Sequence, residues 1–451
     1  MAQSYKQHYR QLLRIGLPIV LGQIGVIVLG FADTIMIGHH TTEELAAASL
    51  VNNLFNLAII FGTGFSYGLT PLIGELFGKD DKGGIGALLK NSLLANLVMA
   101  AVIMAAMGIV YANLDRMGQP EELMVFIKPY YLIVLSSMVF VMLFNSFKQF
   151  AEGTTDTQTP MWLLLGGNVM NIAGNYVLIY GKLGAPELGL AGAGLSTLAS
   201  RVAMLAAFVI IFARSRRYAA YREGFRLGRL RLTAFRRLNG MGWPVALQMG
   251  MESASFSLSA VMVGWIGSIA LAAHQIGITF STLSFMVIYG MGAAIAIRVS
   301  HFKGQGDMGN VRRAAFAGFH VVVVICAVAC VFFASVRHHV GGWFTDNQEV
   351  SAITSVLMLL MVLYQLGDAT QIVFANSLRG ISDVRPMMVI AFFAYFVVSL
   401  PTGYLLAFTF DLGLYGIWLA YPVGLTTAGC LFLWRFNRMT RGSKTHECLT
   451  K

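Results

Sequence analysis

Ile15-Gly-Leu-Pro18-Ile-Val-Leu-Gly-Gln-Ile-Gly25-Val-Ile-Val-Leu-Gly-Phe-Ala-Asp33 carries one amide, one carboxylate near its end and no cation. A helix that crosses a hydrocarbon core of about 30 Å needs about 20 mostly apolar residues, and this run has that length. It is too long and too evenly apolar for a membrane-barrel strand, which alternates over about 10 residues. At a shift of 226 the chain reads Met241-Gly-Trp-Pro244-Val-Ala-Leu-Gln248-Met-Gly-Met-Glu252, with Gly and Pro in the same places. A spanning helix that recurs half a chain later decides the fold: a helical membrane protein built from two copies of one bundle.

Working outward, twelve runs of this kind are readable, near Leu13–Ile37, Ala46–Ile73, Leu88–Tyr111, Phe126–Phe147, Pro160–Ile179, Leu190–Phe212, Met241–Ile266, Ala270–Val299, Val311–Phe333, Ile353–Leu378, Pro386–Phe408 and Leu414–Phe436. The composition agrees. Of 451 residues 57% are hydrophobic and 12% charged, about half the charge of a soluble domain. Disorder and a disulfide scaffold are excluded, the latter because there are only 4 cysteines. No cleavable signal peptide is expected, since the first apolar run is long and no small-residue cleavage site follows it.

Lysine and arginine set the orientation. With both termini on one side, that side holds 27 of the 32 and the other holds Arg116, Lys128, Lys182 and Arg337; Arg201 lies within a span. Both ends are therefore expected in the cytoplasm, in a cell (inner) membrane. The net charge of +11 follows from this bias, and nucleic-acid binding is not expected.

The repeat extends well beyond the two opening stretches. At 226, Leu45-Ala-Ala47 meets Leu271-Ala-Ala273, and Gly64, Gly78 and Asp81 meet Gly290, Gly304 and Asp307. At 227, Gly153 and Asp156 meet Gly380 and Asp383. At 224, Gly189, Leu190 and Gly192 meet Gly413, Leu414 and Gly416. Six spans per half make the repeats parallel, an arrangement found in transporters with the substrate path between halves. The expected organisation is an N-lobe at 1–212, a basic cytoplasmic linker at 213–239, a C-lobe at 240–438 and a cytoplasmic tail at 439–451.

Three acids fall inside spans: Asp33, Glu252 and Asp368. An ionised carboxylate at mid-bilayer costs about 2.5–3.5 kcal/mol on insertion scales. Only one base, Arg201, lies in a span, so protons or metal cations are expected to compensate. Tyr364 sits one helical turn before Asp368, and Gln248, Ser253 and Ser255 flank Glu252. These hard oxygen donors suit a proton or Na⁺ rather than zinc. In the first half Asn171 and Asn175 are spaced i, i+4, and Thr197 lies in the sixth span.

The segments Gly30-Phe-Ala-Asp33-Thr-Ile-Met-Ile-Gly38, Gly240-Met-Gly-Trp-Pro244, Leu271-Ala-Ala-His-Gln275, Leu363-Tyr-Gln-Leu-Gly-Asp368, Asn376-Ser-Leu-Arg-Gly380 and Tyr180-Gly-Lys-Leu-Gly-Ala-Pro-Glu-Leu-Gly189 resemble the multidrug and toxic compound extrusion (MATE) transporters, specifically their NorM-like branch. The resemblance implies an all-α membrane protein: twelve transmembrane helices in two pseudo-symmetric six-helix lobes forming a V. It implies export of small amphipathic cations in exchange for Na⁺ or H⁺, with no cofactor. Carried over residue by residue, it implies a C-lobe cation site at Glu252, Asp368 and Tyr364, with Na⁺ held at Glu252 and Asp368. It also implies an N-lobe cation, proton and substrate site at Asp33, Asn171, Asn175 and Thr197. Which set couples transport stays open, as does whether Arg201 pairs with a carboxylate or lies against the other lobe. The chain is expected to act as a monomer in the lipid bilayer. The competing reading is a lipid-intermediate or polysaccharide flippase of the same broad superfamily. Such proteins line their cavity with basic residues, whereas the intramembrane charge here is acidic.

Other signals read as structural. Gly192-Ala-Gly194 has no strand before it, no Walker A pattern occurs, Cys326 and Cys330 are packing residues, and His39-His40 and His338-His339 are solvated outer-loop pairs. No catalytic constellation is readable.

Overall fold

The computed structural model describes residues 3–116, 118 and 120–441; the expected tail at 439–451 lies outside the described residues beyond 441. Every element among the described residues is helical. The chain runs α1 (Tyr5–Gly38), α2 (Thr42–Tyr67), α3 (Leu69–Gly78), α4 (Lys82–Ala112), α5 (Glu121–Gly153), α6 (Gln158–Ile179) and α7 (Gly189–Arg214). The linker helix α8 (Ala219–Leu227) follows. Then come α9 (Leu232–Ile266), α10 (Ser268–Gly304), α11 (Met308–Val340), α12 (Gln348–Gly380), α13 (Arg385–Phe392), α14 (Leu400–Tyr404) and α15 (Gly413–Arg441).

Among the described residues, eleven stretches are long and apolar enough to cross a membrane. Each of the twelve expected spans falls within this helical framework. The twelfth long helix, α9, has 35 residues but is diluted by Gln248, Glu252 and a run of serines, which keeps it out of the strongly apolar set. The second span breaks after Tyr67, where the chain turns at Gly68. The eleventh is interrupted by π-helical segments at Phe393–Ser399 and Leu405–Thr409. Pro401 has no N–H and its ring crowds the carbonyl four residues back, at Val397, so a wider turn there relieves the clash.

Capping explains where several helices start. Asp81 accepts from the Gly84 N–H at 2.7 Å and Asp307 from the Asn310 N–H at 2.9 Å. Thr41 and Asn347 cap α2 and α12 in the same manner. The helices are apolar yet poorly covered. In the Met308–Trp343 span only 17% of the most apolar window is buried, and Val324, Val328 and Val331, spaced along one face, are each more than 60% exposed. Apolar area of this extent requires lipid around it.

The contacts group the chain into two compact units, residues 21–246 and residues 1–20 with 247–451. Pro18 and Pro244 each stand two residues before a boundary between units, inside α1 and α9.

In the unit 21–246, Phe144, Phe147 and Phe150 of α5 meet Phe208 and Phe212 of α7 and Tyr218 and Tyr221 of the linker in an aromatic column. In the other unit Trp418, Phe374, Phe432 and Phe436 are fully buried between α12 and α15. His274, in the Leu271–Gln275 motif, accepts a 3.1 Å hydrogen bond from Trp418.

The repeat is visible in the backbone itself. Left-handed residues occur at Asp80 and Gly306, at Thr155 and Ser382, and at Gly189 and Gly413, the same shifts of 226, 227 and 224 read from the sequence. Bonding repeats too. Asp81 and Asp307 donate their N–H to Leu76 and Phe302, and Asp156 and Asp383 to Ala151 and Leu378. Asp156 then pairs with Arg217 at 3.0 Å, and Asp383 with Arg435 at 2.7 Å.

Candidate functional site

The unit 21–246 gathers Asp33, Asn171, Asn175 and Thr197. Asn171 and Asn175 face the same way because they are one turn apart on α6. Both are fully buried, and Asp33 is half-buried. The Asn175 amide donates to Asp33 Oδ1 at 2.6 Å and to Asn171 Oδ1 at 3.1 Å, and Asn171 lies 3.0 Å from the Thr197 hydroxyl. With the Asn171 amide turned over, its nitrogen also donates to Asp33 at 2.9 Å and its oxygen accepts from Thr197. One carboxylate therefore collects the amide donors of α6, and α7 closes the chain of bonds through Thr197 and through Ser196, which donates to the Asn171 carbonyl.

Arg201 lies one turn beyond Thr197. It hydrogen-bonds Ser137 and lies in electrostatic range of Asp33 and Tyr130. Among the described residues it forms no ion pair within 4 Å. Tyr130 reaches Asn52 at 3.2 Å.

The unit that includes 247–451 gathers Glu252 and Asp368, which lie in electrostatic range of each other. Glu252 Oε2 accepts from Gln248 at 2.9 Å and from Gln371 at 3.3 Å. Asp368, 6% exposed, receives no hydrogen bond among the described residues. Neither acid forms an ion pair within 4 Å among them. Tyr364 is buried one turn from Asp368, and its hydroxyl donates to Ser281 at 2.6 Å.

Sequence reading missed three members of this group. Gln371 follows Asp368 by three residues on α12 and was hidden among ordinary polar helix positions. Gln365 lies beside Tyr364 and donates to Ser284. Tyr395 faces Gln371 and lies in range of both acids. It is carried by the π-helical segment, whose register no 3.6-residue pattern reveals. The buried side-chain oxygens of Gln248 and Gln371 have no partner. Buried amide oxygens of this kind are costly to leave unpaired. Beside two carboxylates they make an oxygen-only donor set that suits a hard monovalent cation or protons.

Outside the spans, His40 is not solvated as expected. Nδ1 meets Glu44 at 2.7 Å and Nε2 meets Glu187 at 3.0 Å. The hydrogen bond to Glu187 raises its pKa, burial opposes this, and Glu44 adds to the rise. His338 and His339 belong to the last turn of α11 rather than to a loop. Cys326 is buried and Cys330 half-buried, both without a disulfide.

Acids half-buried or buried among polar side chains, in duplicated bundles of apolar helices, are the arrangement of a membrane transporter. The MatE family model matches the chain twice, over residues 18–177 and 244–405, so that both matches begin at one of the paired prolines. The chain belongs to the MATE family, whose members are transporters of small molecules and not enzymes. Solved structures share the fold throughout. A MATE protein in a straight conformation superposes with a TM-score of 0.88 at 20% identity, covering 97% of each chain. The eukaryotic MATE transporter AtDTX14 superposes at 0.86 and 16% identity, covering 98% of this chain and 99% of that one. A transporter of the MOP superfamily from Pyrococcus furiosus, described as having a binding pocket of reverse polarity that suggests a different function, gives 0.86 at 18% identity with 97% of each chain covered.

Proposed function

We propose that this transporter is a cation-coupled antiporter of the NorM-like branch. It exports amphipathic cations across the cell (inner) membrane in exchange for Na⁺ or H⁺, with both termini cytoplasmic and with lobes at 1–212 and 240–438. The observation that carries the reading is the pair formed by half-buried Glu252 and buried Asp368, with amide donors on Glu252, orphaned amide oxygens beside it and no ion-pair partner for either acid among the described residues. Removing one partner of a buried charge is strongly unfavourable. Two carboxylates that must spend part of the cycle out of water therefore need a mobile positive charge, and the transported cations supply it.

In this scheme Glu252 and Asp368 hold the coupling cation, with Gln248 and Gln371 completing an oxygen cage. Tyr364, fixed by Ser281, orients the α12 face beside Asp368. Asp33 takes a proton or the substrate's positive charge, and Asn171, Asn175 and Thr197 hold its carboxylate in one orientation. Drug and coupling ion favour different states of the carrier, and that difference in affinity drives exchange. Pro18 and Pro244 weaken α1 and α9 where bending is required.

The test is reconstitution in liposomes with an imposed Na⁺ or pH gradient, following efflux of a fluorescent cationic dye. Asp368→Asn abolishes Na⁺-stimulated efflux while protein remains in the membrane, and Asp33→Asn flattens the pH dependence. Dye efflux indifferent to both gradients overturns the reading.

One observation favours the flippase alternative: Arg201 puts a guanidinium in range of the Asp33 cluster, where an anionic headgroup would find it. Translocation of a fluorescent pyrophosphate-linked lipid in the same vesicles, without dye transport, selects that alternative.

A further inference from the structure

The basic linker has a defined structure that the transport scheme does not use. Its segment Arg226-Leu-Gly-Arg229-Leu-Arg231-Leu232 leaves α8 at Gly228 and runs along α4 without regular structure until α9 begins. Two residues of α4 hold it there. Lys90 donates to the Gly228 carbonyl at 2.9 Å, and the buried Asn91 donates to the Arg229 carbonyl at 3.1 Å and accepts from the Arg231 N–H at 2.9 Å. Backbone contact is close: a Cβ on Gly224 would fall 2.2 Å from the Gly83 carbonyl oxygen, and one on Gly228 2.7 Å from the Ala87 side chain.

With its backbone bonded in this way, the segment leaves its side chains unspent. The guanidinium groups of Arg229 and Arg231 are exposed and make no ion pair or hydrogen bond among the described residues. Leu227, Leu230 and Leu232 are 66%, 56% and 63% exposed. Beneath the strap is a cavity of about 960 Å³ lined by Lys82, Arg229, Arg231 and Arg237, with Glu223 the acid of the rim and Leu227 contributing apolar surface. Arg237 also pairs with Glu75 at 3.3 Å.

We infer that this cavity binds the phosphodiester headgroup of an anionic phospholipid of the inner leaflet, with the flanking leucines seated at the acyl boundary. The inference rests on the cytoplasmic placement of the linker proposed above. Guanidinium groups match phosphate oxygens with paired N–H donors. Leucine alternating with arginine gives both parts of an interfacial contact at once, apolar insertion and attraction to anionic lipid. A free phosphate would use the arginines and leave three exposed leucines unexplained, so the lipid is the better-matched occupant.

The experiment uses the full chain in detergent micelles doped with phosphatidylglycerol and phosphatidylcholine, counting retained lipid by native mass spectrometry. Wild type retains phosphatidylglycerol preferentially. Arg229→Gln with Arg231→Gln lowers that retention on the order of tenfold, with an unchanged melting temperature because neither guanidinium has a packed partner. Millimolar inorganic phosphate does not displace the lipid. A salt titration of wild type reads the same charges without substitution, the preference weakening as salt rises. Equal retention of the two lipids, no effect of the double substitution, or displacement by inorganic phosphate overturns the inference, the last assigning a small-anion site. Sidedness is read separately: a Glu223→Cys chain in a background without the native cysteines, labelled by an impermeant maleimide only after cell lysis, supports the topology. Labelling in intact cells removes the inner-leaflet assignment.

Discussion

The imidazole of His40 bridges Glu44 and Glu187 through both ring nitrogens, and it can donate to both only as the cation. Its pKa is higher in the folded chain than its ordinary value near 6.5. The stabilisation is therefore fully present below about pH 6.5 and is lost as pH rises through the folded value. Thermal melting of wild type and His40→Gln should differ most on the acid side, by about 1 kcal/mol or less since Glu187 is largely exposed, and the gap should close towards alkaline pH. A gap independent of pH removes the charge from the account. The sequence did not disclose this clasp because Glu187 is 147 residues away from His40. Asp33, Asn171, Asn175 and Thr197 were legible for the opposite reason: polar groups in long apolar runs are conspicuous, and the i, i+4 amides had to share a face. Tyr395 was not, since a tyrosine in an apolar helix reads as filler until its turn is known to be widened. Tyr395→Phe tests its place beside the acids: the sodium dependence of dye efflux should shift while membrane levels stay unchanged, and an identical dependence excludes it.

Helices in this protein approach one another through glycine, at a few positions that geometry separates from the rest. A Cβ on Gly68 would lie 2.7 Å from the Gly242 nitrogen, and one on Gly242 would lie 2.6 Å from the Phe65 ring and 2.9 Å from its carbonyl oxygen. Gly242→Ala should therefore destabilise the chain by about 1–3 kcal/mol, because backbone cannot step aside as a flexible side chain can. At Gly30, within the Gly30–Gly38 motif, nothing lies within 4 Å of the added carbon, and Gly30→Ala should leave the melting temperature unchanged or slightly raised. Melting curves of the two variants in one detergent check the contrast, and equal losses would show that the close approach does not govern stability. Helix existence was readable from apolar length throughout. The break after Tyr67 and the π-helical turns before and after α14 were not, because apolar length locates a span and carries no signal for where a turn breaks or widens, even where Pro401 is the cause.

At the level of the whole molecule, duplication and charge bias were both plain in the sequence, and the paired left-handed residues give the duplication a geometric form. The bias of lysine and arginine makes an orientation prediction. A green fluorescent protein fused after Lys451 should fluoresce, and an alkaline phosphatase at the same place should be inactive; active phosphatase would invert the topology. The coupling ion stayed undecided in the sequence because carboxylates and amide oxygens serve protons and sodium alike.

The paired left-handed turns have a practical consequence. Since the two halves solve two of these three bends with different residues, each serves as a ready-made homologue of the other for engineering. At the turn between α3 and α4 the first half uses Asp80 at a φ of 55°, whereas the second uses Gly306 at 74°. Copying the later choice into the earlier one, Asp80→Gly, removes a side chain from a backbone geometry that glycine adopts freely. Its exposed contact with Lys82, at 3.5 Å, is a small loss. A stabilised carrier designed this way would draw its consensus from within a single polypeptide.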